Sequence, residues 1–164
     1  MTARAEAAGI DAALFVTDAG SGTDSAMPGA QGLQAALREA GIALGAVLMG
    51  GTDAAALADP AWDDITPITS APTSADLGDA ARRLGAAPER TALFTASTET
   101  ARVGAAARFH TVVGIAGPEP GERGRHALRA AGADLVVRGC DRFVLPDGRL
   151  RSLAALPPPS ADIG

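Results

Sequence analysis

Asp18 and Asp24 flank a loop of Gly, Ser and Thr in the stretch DAALFVTDAGSGTDSA, residues 11–26. Two carboxylates in such a loop are the ingredients of a general acid–base pair or of a hard-cation site. The same residue types also accept hydrogen bonds from neighbouring amides and serve as loop caps, so both readings stand. A second candidate is Gly50-Gly51-Thr52-Asp53, where glycines ahead of a helix start would let backbone amides cradle an anion, or would simply form a tight turn with an N-cap. His110 and His126 are the two histidines, each on or at the end of a helical stretch without an evident partner, which suits surface or packing roles. Cys140 is the single cysteine, which rules out an internal disulfide and reads as a small, half-buried residue near a strand end. GIAGPEPGERG, residues 114–124, is glycine-rich but does not match the G-x-G-x-x-G dinucleotide fingerprint. Trp62 would either cover a sheet edge or anchor a partner.

The elements that must position these residues alternate along the chain. Residues 12–17 read as a strand, 30–40 as an amphipathic helix ended by Gly41, and 42–49 as a continuous apolar run typical of a buried parallel strand. A short helix is expected over 52–58 and a short strand over 65–68. Residues 74–84 read as a helix with Ser74 as N-cap and Gly85 closing it. Residues 91–95 form a strand, and 97–107 a helix capped by Ser97 or Thr98. A strand over 111–116, a helix over 121–130 and a strand over 133–137 follow. Residues 142–153 suggest a small C-terminal hairpin turning at Pro146-Asp147-Gly148. Strand–helix alternation with short loops predicts an α/β fold, a doubly wound, mostly parallel sheet flanked by helices. In such sheets chemistry sits beyond the carboxyl ends of the strands, near the switch point. One domain over 1–153 is expected, with a proline-rich tail over 154–164 that is disordered or a linker.

Composition narrows the function classes. The chain has 164 residues and a net charge of −5, which argues against a non-specific nucleic-acid binder. No apolar run approaches the ~20 residues of a membrane span. The start, MTARAEAAGIDAAL, lacks the long apolar centre of a signal peptide, so a soluble cytoplasmic protein is expected. There is no Lys, Tyr or Asn, and the 14 basic residues are all Arg. Any mechanism that needs a lysine is therefore excluded.

The order and content of the segments resemble the haloacid dehalogenase (HAD) superfamily, in particular its β-phosphoglucomutase-like branch. DAALFVTD resembles that family's first strand, which ends in Phe-Asp-x-Asp-Gly. MPGAQGLQAALREAGIALGAV, APTSADLGDAARRLGAAPERTALF, ETARVGAAARFHTVVGI and LRAAGADLVV resemble the later units, and together the likeness spans about residues 10 to 145. The resemblance implies a Rossmannoid core and phosphoryl chemistry. In that chemistry an aspartate nucleophile forms an aspartyl-phosphate, a second aspartate acts as acid or base, Ser/Thr and Lys hold the phosphate, and acidic residues hold Mg²⁺.

Carried over position by position, the resemblance finds the chemistry missing. The nucleophile position is Val16, set where the chain is expected to leave the first strand, and the second aspartate is retained as Asp18. The glycine after it is replaced by Ala19. The hydroxyl of the second motif falls on Leu48 or Met49, with Thr52 reachable only by a loop shift. The lysine falls near Ala71, before a retained Pro72, and the acidic pair of the last motif falls on Thr95 and Ala96. The cap domain usual in that branch is absent, since only a few residues separate Asp24-Ser25 from Pro28-Gly29. The expectation is a capless, non-catalytic HAD-like pseudoenzyme: a structural, oligomerisation or partner-binding module without a cofactor, working through a protein partner or self-association. Two alternatives remain. One is a reduced phosphatase or phosphomutase acting on a small phosphate ester, with Asp18 as residual acid–base group and Mg²⁺ as cofactor. The other is a phosphate-ligand binder using Gly50, Gly51 and Thr52.

Overall fold

A computed structural model describes residues 10–18, 30–49, 63–68, 72–115 and 122–137, without the side chains of residues 17, 18, 30, 31, 49, 67 and 122–124. The described strands are β1 (Ala12–Asp18), β2 (Ala43–Met49), β3 (Asp64–Ile68), β4 (Thr91–Thr95), β5 (Thr111–Ile115) and β6 (Leu135–Val137). The described helices are α1 (Ala30–Glu39), α2 (Ser74–Arg83), α3 (Thr98–Ala106) and α4 (Glu122–Ala131). The expected helix over 52–58, the hairpin over 142–153 and the tail over 154–164 lie outside the described residues.

The strands form one sheet in the order β3-β2-β1-β4-β5-β6. Every pairing among the described strands is parallel, in line with the expected mostly parallel sheet. From β1 the chain builds outward through β2 to β3, then crosses to β4 and builds the other way to β6. Because parallel crossovers are right-handed, reversing the direction of growth moves the helices to the opposite face. The core accordingly divides in two. Ala13 and Phe15 of β1 join Leu33 and Leu37 of α1 on one face. Leu14 and Val16 join Leu77 and Ala81 of α2, Ala101 of α3 and Leu128 of α4 on the other. Strands buried on both faces favour apolar residues at successive positions, so β1, β4 and β5 show no polar alternation, with buried Thr91, Thr95 and Thr111 confined to the ends of β4 and β5. At the switch point the rings of Phe15 and Phe94 stack with centroids 4.7 Å apart, tying β1 to β4.

The helix ends feed the next strands by one repeated device. Gly41 donates to the Arg38 carbonyl and Ile42 to that of Leu37; Gly85 donates to Arg82 and Ala86 to Ala81; Gly132 donates to Arg129 and Ala133 to Leu128. Each glycine has positive φ, at 81°, 81° and 117° respectively, and each following residue is buried. This is the Schellman arrangement, with glycine at the left-handed position. At the end of α3 the same bonds run from Arg108 to Ala105 and from Phe109 to Gly104, but the left-handed residue, at φ 64°, is Arg108. Within α3 the helix lies so close to the sheet that a Cβ on Gly104 would fall inside the Leu93 side chain.

The amino edge of the sheet is stapled by aspartates. Asp63, just before β3, donates its amide to the Leu44 carbonyl at 2.7 Å and accepts from the Leu44 amide at 2.8 Å through its carboxylate. Asp134, just before β6, does the same with Val112, at 2.8 Å in each direction. Thus the two outer strands of the described sheet are fastened to their inner neighbours in one manner. Ion pairs hold β3 further, from Asp63 to Arg38 of α1 and from Asp64 to Arg83 of α2, at 3.4 and 3.0 Å.

Candidate functional site

The carboxyl edge of the sheet is where this topology puts a site, with β1 and β4 at its centre. The structure carries β1 on through Asp18, paired with Met49 of β2, so Val16 lies within the strand rather than at its exit. Val16 is in register with Val47 on one side and with Thr95 on the other. It is 2% exposed and belongs to the same apolar cluster as Leu14, Val47, Leu77 and Leu93. An isopropyl group at this position contributes packing and has neither a lone pair nor a charge with which to attack phosphorus or hold a cation.

Thr95 and Ala96 are the residues on which the resemblance puts the acidic pair of the last motif. Thr95 is fully buried, and its hydroxyl accepts from the Ser97 amide at 3.0 Å. Ser97 in turn is the N-cap of α3, its hydroxyl accepting from the Thr100 amide at 3.3 Å. The Thr95 side chain is thus committed to shaping the strand-to-helix turn, while Ala96 is exposed and offers only a methyl group. Val16, Thr95 and Ala96 include no carboxylate and do not fit a Mg²⁺ site, which needs oxygen ligands in octahedral order. Among the described residues, no group of three or more His, Cys, Asp or Glu is placed to hold a metal ion.

The helix starts facing this edge are already supplied with negative charge. The first turn of α2 is closed by a capping box: the Thr73 hydroxyl accepts from the Asp76 amide at 3.1 Å, and the Asp76 carboxylate accepts from the Thr73 amide at 3.0 Å. The N-cap is therefore Thr73, not Ser74. Its reciprocal bond needs an acceptor side chain three residues on, which Asp76 provides for Thr73 and Leu77 cannot provide for Ser74. Pro72, ahead of the cap, is buried. The first turn of α3 holds Glu99, 3.5 Å from Arg102. A carboxylate at a helix N-terminus takes up the partial positive charge that would otherwise draw an anionic ligand.

Of the positions singled out in the sequence, the structure brings Val16 and Thr95 together as neighbours across β1 and β4, with Ala96 one residue beyond. Asp18 is placed by its backbone at the end of β1. Gly50, Gly51, Thr52 and Ala71 lie outside the described residues, as do Asp24, Trp62 and Cys140. His110 is exposed at the start of β5, its Nδ1 2.8 Å from the Thr111 hydroxyl, and His126 is exposed on α4. The sequence reading missed the Thr73–Asp76 box, although Thr-x-x-Asp before an apolar helix is its visible signature. It also missed Asp63 and Asp134. Their signal is an aspartate one residue ahead of a strand.

No protein-family model matches the sequence, and no curated protein matches it. Solved structures do. A HAD family hydrolase from Deinococcus radiodurans, determined with bound phosphate and sodium, superposes with a TM-score of 0.62 at 19% identity, over 82% of this chain and 93% of that one. The deoxy-D-mannose-octulosonate 8-phosphate phosphatase of Haemophilus influenzae, in its cobalt-bound form, gives 0.54 at 16% identity, over 80% and 76%. A Bacteroides fragilis protein described as a haloacid dehalogenase-like hydrolase gives 0.59 at 22% identity, over 71% of this chain, which spans only 59% of its length. At identities of 16–22% these likenesses are a matter of architecture: the chain has the fold of the haloacid dehalogenase-like hydrolases.

Proposed function

We propose that this chain is a non-catalytic version of that fold, serving as a structural, oligomerisation or partner-binding module. The observation that carries the reading is the packing of Val16, 2% exposed in an apolar cluster at the position where the resemblance calls for the nucleophile. Thr95 supports it independently, since its hydroxyl is engaged by the Ser97 amide. The absence of lysine from the sequence supports it a third time, because no such cation is available to a transferring phosphate. Loss of a nucleophile alone costs on the order of 10⁶ in turnover in a well-studied hydrolase.

A second reading, a reduced phosphatase or phosphomutase using Asp18 and Mg²⁺, draws on the fold likeness to hydrolases and on Asp18 standing at the carboxyl end of the central strand. The test is phosphate release from a panel of small phosphate esters, with Mg²⁺ and with chelator, beside Asp18→Asn. The module reading expects no release above the chelated control, together with self-association in sedimentation or capture of a specific partner. Metal-dependent release that disappears in Asp18→Asn would overturn it in favour of the enzyme.

A further inference from the structure

We draw no further inference here: the strongest candidate, the fully buried Thr100 hydroxyl in the first turn of α3, which has no hydrogen-bond partner, belongs to the carboxyl-edge site already described, and nothing in the structure shows what it faces.

Discussion

Val16 is the residue on which the functional reading turns, and it can be tested without any substrate. Val16→Asp restores the carboxylate that the resemblance calls for, but places it among Leu14, Val47 and Leu77. An uncompensated buried charge costs about 3–5 kcal/mol. The expected outcome is an unfolding free energy, from urea titration, lowered by that amount and no gain of phosphate release. A variant as stable as the parent would mean that the position is open to water or to a cation. The ion pair at the opposite edge has a smaller effect. Arg90 hydrogen bonds to Asp11 and, with its charge, holds the Asp11 carboxyl below its usual range, while partial burial opposes the shift. A depressed folded pKa stabilises above the unfolded value near 3.9 and stops doing so as the pH falls through the folded one. Both side chains are nearly half exposed, so the contribution is about 0.5 kcal/mol or less. Asp11→Asn is expected to lower the melting temperature slightly at pH 7. The gap between the two proteins should close as the pH falls through the lowered Asp11 pKa.

At the scale of elements, the end of α3 departs from the pattern set by the other described helices. Three of them place glycine at the left-handed residue, and α3 places Arg108 there. A left-handed L-residue costs roughly 1–2 kcal/mol, offset in part by the greater chain entropy that glycine loses on folding. Arg108→Gly is therefore expected to stabilise the protein by about 0.5–1 kcal/mol, read as a raised denaturant midpoint at an unchanged slope. A destabilised variant would show that the Arg108 side chain makes contacts worth more than the backbone strain.

These helix ends also show how far a sequence reading reaches. Gly41 and Gly85 were legible because glycine after an amphipathic run has a specific conformational cause. Arg108 was not, because arginine carries no signature of positive φ. The apolar stretches of β1, β4 and β5 were legible for the same kind of reason: burial on both faces favours apolar residues at successive positions. The aspartate staples and the Thr95–Ser97 turn depend on which backbone amide lies within reach, and that is fixed only once the register is fixed. Legibility of the site was mixed. The resemblance puts apolar Val16 at its nucleophile position, but local pattern could not tell that β1 continues to Asp18, since that extension is secured by pairing with Met49.

At the scale of the molecule, the parallel pairing of all six described strands has a consequence for how the chain reaches its fold. A parallel pair cannot be closed by a tight turn, so no two of the described strands pair through a hairpin. The central contact is the most demanding. Asp11 and Arg90, which bond at the amino end of the β1–β4 seam, are 79 residues apart in sequence. Loop-closure entropy must be met before that seam yields any stabilisation. Refolding from urea, followed by stopped-flow circular dichroism, is expected to be slower than for a helical bundle of equal length. Its yield is expected to fall as protein concentration rises, because β1 and β4 expose unpaired edges until they meet. Refolding on the microsecond scale with a concentration-independent yield would contradict this. The topology that sets a carboxyl edge at the centre of the sheet thus also makes that centre late to assemble.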